Sequence, residues 1–253
     1  GTGLSRRFVY DYAILSLSAG LSNSLNNNIY DENLYVPVDT GVSTYANRWG
    51  ITNYIYTGVS VDNRDVSYYP TKGWFTSQNF TWYGLIPGLE KEFFLRTDTK
   101  LEGYLKLMDI PFTDDYSLKL ILSGYSGISV LFPTASGITD SHKLYIDGMF
   151  NGRGWTENYK VNKGQVLISN KLELRLPIVP GIIGVDAFFD AAAIKSSFQD
   201  LSSLSINDFY FSFGPGVRFL HPQFPLHLLF AWKFKTTDGV PSFDTNPFQF
   251  VLS

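Results

Sequence analysis

Alternation of apolar and polar residues over unusually long runs constrains this chain more than any other feature. In "VLISNKLELRLPI", Ile168, Leu172, Leu174 and Leu176 fall on one side, and Lys171, Glu173 and Arg175 on the other. In "PLHLLFAWKFK", Leu226, Leu228, Phe230, Trp232 and Phe234 oppose His227, Lys233 and Lys235. "EFFLRTDTKLEGYLKLMD" sets Phe93, Leu95, Leu101, Leu105 and Leu107 against Glu92, Arg96, Asp98, Lys100, Glu102 and Lys106. A period of two belongs to strands with two unlike faces. Globular strands have about 5–6 residues, whereas a tilted strand crossing a bilayer needs about 9–11.

Read this way, the chain holds ten strands, near 8–21, 51–63, 73–86, 92–108, 116–132, 165–178, 182–194, 207–220, 226–236 and 247–253. Their connections sort by length. "RDVSYYPTKG", "DIPFTDD", "PIVPG" and "HPQFP" are compact, whereas 22–50, 133–164, 195–206 and 237–246 are long, and "LIPGLEKE" is a short exception. Short turns on one side and long loops on the other mark an outer-membrane barrel. Tyr68, Tyr69, Trp74, Phe75, Trp82, Tyr83, Phe219, Phe224 and Phe243 lie near strand ends, where aromatic girdles sit. The predicted class is therefore all-β, a transmembrane antiparallel barrel in one domain, with a Phe- and Tyr-rich soluble sandwich as the rival.

Composition agrees. Charged residues make up 17 % of the chain and aromatics another 17 %, against about 25 % charged in ordinary soluble domains. No apolar run is long enough for a membrane helix, and "GTGLSRRFVYDY" lacks the continuous apolar core of a signal peptide. A net charge of -3 leaves no basic footprint for nucleic acid, and the absence of cysteine removes disulfides and thiol chemistry.

Candidate catalytic groups are weak. His142, His221 and His227 are scattered without metal-ligand spacing. "DSHK" at Asp140–Lys143 is adjacency and not triad geometry. Asp114 and Asp115 sit in a short turn, "FGPGVR" is interrupted by Pro215 with no helix after it, and "NFT" at Asn79 is a glycosylation pattern without meaning in a bacterial barrel. No enzyme activity, cofactor or metal is expected.

Several stretches, taken in order, resemble the BamA family of outer-membrane protein assembly factors. "VDNRDVSYYPTKGWF" is similar to that family's Arg-Asp, Pro-Thr-basic-Gly turn, which implies a periplasmic turn motif at Arg64, Asp65, Pro70 and Gly73. "NGRGW" resembles its Arg-Gly-aromatic motif in the sixth extracellular loop. "NKLELRLPI" with "GVDAFFDAAAI", then "GPGVRFLHPQFPLHLLFAWKF", then "FQFVLS" resemble the strands that follow. The family barrel has sixteen strands. The resemblance implies that residues 1–253 supply strands seven to sixteen, with the early strands and the periplasmic POTRA domains absent from the chain. Ten strands alone leave an unpaired edge that lipid does not tolerate. They must close on themselves, pair with another copy, or be completed by further strands.

In the family, the loop arginine folds back into the lumen. The resemblance assigns that role to Arg153, flanked by Gly154 and Trp155, with Glu173, Phe188 and Asp190 as partners. Alternation independently points Glu173, Asp186, Phe188 and Asp190 inward. Gly152 stands where the family usually has a small β-branched residue. Phe248 and Phe250 form an outward stripe on the last strand, and the chain ends Leu252-Ser253 where relatives usually end on an aromatic residue.

The resemblance implies ATP-independent folding and insertion of barrel proteins into the bacterial outer membrane. Its expected partners are unfolded outer-membrane proteins, outer-membrane lipid and accessory lipoprotein subunits. The alternatives are a two-partner secretion or TamA-like translocation barrel of the same superfamily, and a plain porin.

Overall fold

The computed structural model describes residues 1–27, 49–86, 90, 92–113, 116–134, 137–156, 162–179, 181–220 and 226–252. Eleven strands form one antiparallel meander: β1 (Thr2–Val9), β2 (Ile14–Asn27), β3 (Trp49–Asp62), β4 (Gly73–Tyr83), β5 (Phe94–Thr113), β6 (Tyr116–Pro133), β9 (Val166–Val179), β10 (Ile183–Lys195), β11 (Phe209–Phe219), β12 (Leu226–Thr237) and β13 (Val240–Leu252). Two short strands, β7 (Leu144–Tyr145) and β8 (Lys163–Gly164), pair with each other inside the long connection between β6 and β9. Short 3₁₀ turns at Gln199–Ser203 and Ile206–Asp208 bridge β10 to β11.

The two faces of the sheet obey the alternation. Leu172 and Leu174 on β9, and Phe230 and Trp232 on β12, are 49 %, 38 %, 37 % and 37 % exposed, whereas Glu173 and Ala231 between them are buried. Large apolar side chains therefore point away from the fold along its whole outer wall, the reverse of a sandwich, where they would meet an opposing sheet. The inner face is covered instead by the β6–β9 connection. Its Leu144, Ile146 and Trp155 pack with Phe94 of β5, Leu131 of β6, Leu167 of β9 and Ala192 of β10. Tyr83 of β4 and Tyr210 of β11 join the same cluster. One loop can touch β4 and β11 together because the sheet curls around it.

Three expectations need correction. The predicted strand 8–21 is two strands, so the sheet has eleven members where ten were expected. The chain reverses at Tyr10–Ala13 without glycine or proline, closed by the Tyr10 N–H donating to the Ala13 carbonyl at 2.9 Å, and the alternation runs through the reversal. The predicted loop 237–246 is a two-residue hairpin turn. Asp238 and Gly239 both take positive φ (51° and 79°), the pattern a tight hairpin demands and Asp-Gly supplies. Pro241 and Pro247 are accommodated because β13 pairs with β12 alone among the described strands. Third, Tyr69, Phe75 and Tyr83 do not join an outer girdle. Tyr69 and Phe75 lie against the inward-facing Arg175 and Arg64, and Tyr83 stacks on Phe94 at 4.5 Å. Trp74, Trp82, Tyr68 and Phe243 are exposed. Asp114, Asp115, His221, Phe224 and Ser253 lie outside the described residues.

Candidate functional site

The β6–β9 connection delivers one arginine to the buried inner wall. Its local fold is set by Asp147, whose carboxylate accepts the backbone N–H groups of Met149, Phe150 and Asn151 at 2.9, 2.7 and 2.8 Å. The turn then closes on itself, with the Gly154 N–H donating to the Gly148 carbonyl at 2.8 Å. Gly154 itself has φ +91° and passes directly over Ala231 of β12.

Arg153 is 4 % exposed. Its Nε donates to Asp190 Oδ2 at 2.7 Å, its Nη2 to Asp190 Oδ1 at 2.5 Å and its backbone N–H to Oδ2 at 3.1 Å. Its Nη1 donates to Glu173 Oε1 at 2.5 Å. The guanidinium also lies over the Phe188 ring, 4.3 Å from the centroid. A planar cation with two carboxylates along its edge and an aromatic face beneath it has its hydrogen-bonding and quadrupole demands met together. Such a charge is tolerated out of water only because it is so paired. Trp155 completes the seat: its Nε1 donates to the Phe211 carbonyl at 3.0 Å, and its ring meets Tyr210 edge-on.

The structure thus brings Arg153, Gly154, Trp155, Glu173, Phe188 and Asp190 to one place. It adds Arg175, Asp186 and His227, which alternation sets on the inner face without grouping them, and Arg218, which the sequence reading does not place. Glu173 Oε2 also accepts from Arg175 Nη2 at 2.6 Å and Arg218 Nη2 at 3.1 Å. Arg218 reaches Asp186, and Asp186 bonds His227 Nε2 at 3.1 Å. Register is the signal that finds them: Arg175 pairs with Asp186 across β9–β10, and Arg218 with His227 across β11–β12. His227, which alternation sets on the polar face of its strand, is a buried inner-wall group. His142 bonds Glu92 at 2.6 Å and Lys143 pairs with Asp140, so "DSHK" assembles no triad. No cluster of metal-ligand type occurs among the described residues.

The turn between β3 and β4 is ordered by three acids. Asp65 accepts the N–H groups of Val66, Thr71 and Lys72 and the Thr71 hydroxyl. Asp62 and Glu102 hold Arg64 at 2.8 and 3.0 Å. Pro70 is buried, and Gly73 has φ +101° where any Cβ would strike the Asn63 carbonyl. Tyr69 extends beneath the wall to Arg175. At the other end, Phe248 and Phe250 point outward and pack on Trp232 and Phe230.

These features define a membrane β-barrel whose inner face is occupied by its own inward-folded loop. The chain belongs to the Omp85 superfamily, whose domain description matches residues 2–253. It is 37 % identical over 269 aligned positions to a Treponema pallidum protein described as "Putative outer membrane protein assembly factor", covering 96 % of this chain and 32 % of that one. The chain therefore spans about a third of the length of this curated relative. The crystal structure of BamA from Haemophilus ducreyi lacking POTRA domains 1-3 superposes with a TM-score of 0.59 at 17 % identity, over 98 % of this chain and 52 % of that chain. The protein is a bacterial outer-membrane barrel protein homologous to an assembly factor.

Proposed function

We propose that this chain is the carboxyl-terminal barrel part of an assembly factor that folds and inserts unfolded β-barrel proteins into the outer membrane without ATP. On this reading, earlier strands and POTRA domains precede it in the complete protein. Its partners are nascent outer-membrane proteins, outer-membrane lipid and accessory lipoproteins.

The observation that carries this reading is the buried seat of Arg153 against Asp190 and Glu173. It holds a loop across the inner face, where a porin keeps an open aqueous path. A barrel so occupied is suited to work on its surroundings. A strand arriving at the membrane has unpaired backbone groups that cannot enter lipid bare, and a barrel wall offers pairing partners by strand addition.

The test is insertion of a urea-unfolded outer-membrane barrel into liposomes, with and without the full-length protein, scored by protease protection. Faster insertion with the protein supports the reading. Equal rates, together with a steady ion conductance through the protein, would replace assembly with a pore function.

A further inference from the structure

The β5–β6 hairpin outruns its neighbours on the short-turn side. β4 pairs with β5 only as far as Gly73↔Tyr104, yet β5 continues through Leu105–Thr113. β9 pairs with β6 only as far as Arg175↔Ile121, yet β6 extends down to Tyr116. Among the described residues, the segment beyond is a ribbon paired only with itself, through Met108↔Leu120 and Ile110↔Leu118. It is tethered by the Tyr116 hydroxyl, which donates to the Pro177 carbonyl at 2.7 Å.

One face of this ribbon is apolar. Leu122 pairs with the outward Leu174, so by the strand period Leu120 and Leu118, and their partners Met108 and Ile110, share the outer face. That face continues the outward stripe of the barrel without a break. Met108, Ile110 and the bulged tip residue Phe112 are 49 %, 46 % and 69 % exposed. The opposite face carries Lys106, Asp109 and Lys119, with Lys106 and Asp109 ion-paired. A two-stranded ribbon in water gains nothing from presenting such a stripe.

Two occupants compete, an added strand or lipid. The free edge of β5 has register breaks at Lys106/Met108 and Pro111/Thr113, and a proline at position 111. Bulges and proline on an edge obstruct strand addition. The same edge keeps backbone groups that hydrocarbon would leave unsatisfied, so the ribbon belongs where apolar side chains reach acyl chains while the backbone meets headgroups and water.

We propose that Leu105–Thr113 and Tyr116–Leu120 form an interfacial ribbon, with Met108, Ile110 and Phe112 set into the headgroup–acyl boundary of the leaflet on the short-turn side. The inference rests on the membrane-barrel orientation used above. It adds a lipid-anchoring surface separate from the loop seat.

The chain lacks cysteine, so each thiol introduced in it is unique there, and any cysteine elsewhere in the full-length protein is replaced by serine. Full-length protein carrying Phe112→Cys, or Ile110→Cys as a second variant, is labelled with bimane in phosphatidylethanolamine–phosphatidylglycerol liposomes. Quenching by aqueous iodide is compared with quenching by lipid-borne nitroxide. Leu174→Cys serves as the lipid reference, Asp238→Cys as the aqueous one, and Lys119→Cys reports the other face. The expected result is blue-shifted emission at 110 and 112, loss of iodide quenching relative to 238, and nitroxide quenching approaching that at 174. Label 119 should remain open to iodide. Iodide access at 110 and 112 equal to that at 238 overturns the proposal, and so does protection from both quenchers, which would mean a protein cover. Failure of lipid quenching at 174 would instead overturn the barrel orientation itself.

Discussion

Gly154 crosses Ala231 so closely that a Cβ at Gly154 would stand 2.9 Å from the Ala231 methyl group. The arginine beside it can reach Asp190 and Glu173 only because the loop backbone lies this near the wall. Gly154→Ala therefore meets a steric barrier and an unfavourable φ of +91° together. It should destabilise the seated loop by about 1–3 kcal/mol, seen as a lower urea midpoint in detergent micelles. Adding Ala231→Gly should recover part of the loss, the φ strain remaining.

Removing the Arg153 side chain leaves Asp190 buried without its ion-pair partner, while Glu173 keeps Arg175 and Arg218. Arg153→Ala should cost about 3–5 kcal/mol. Arg153→Lys should not restore it, since an ammonium cannot make the forked contact to Asp190. In a double-mutant cycle with Asp190→Asn, the coupling should exceed about 0.5 kcal/mol. Additive losses would mean that the contact contributes nothing of its own.

The outward stripe makes a signed prediction in bilayers. Leu174→Arg or Phe230→Arg places a charge on the lipid face and should cost about 2–4 kcal/mol near the midplane. Lys171→Arg, on the inner face, should be far milder, because that position already faces acids and the Tyr125 ring. Equal costs at 171 and 174 would contradict the two-faced wall.

The β3–β4 turn should respond to acid. Burial opposes ionisation of Asp65, but hydrogen bonds from Thr71, Lys72 and Val66 outweigh it and hold the carboxyl below its ordinary value. A lowered carboxylate stabilises the fold above its unfolded value, about 3.9, and that contribution disappears as pH falls through the lowered folded value. The stability difference between the native protein and Asp65→Asn should thus be constant from pH 7 to about 5 and shrink below about 4. A difference independent of pH down to 2.5 would deny the carboxylate this role.

Alternation made the wall legible. Glu173, Asp186, Phe188 and Asp190 read as inward because Leu172, Leu174, Val185 and Phe189 left them no other side, and the coordinates place them so. The seat of Arg153 was legible only through resemblance, since a glycine-flanked arginine in a long loop carries no period that says where it goes. What was missed has local causes. The Tyr10–Ala13 reversal uses no turn residue except Asp11, so two strands read as one. The Asp238-Gly239 signal is in the sequence, but Pro241 and Pro247 interrupt the alternation that would show the start of β13. Distance from strand ends, which marks Tyr69 and Tyr83 as girdle residues, is blind to which face a side chain takes.

Glu173 is shared. One oxygen meets Arg153 from the long-loop side, the other meets Arg175, and Arg175 rests against Tyr69 from the opposite rim. Withdrawing the tongue would free half of that carboxylate and leave its lower cations to divide it anew. A single acid midway down the wall thus touches the inward-folded loop directly and the β3–β4 turn through one arginine.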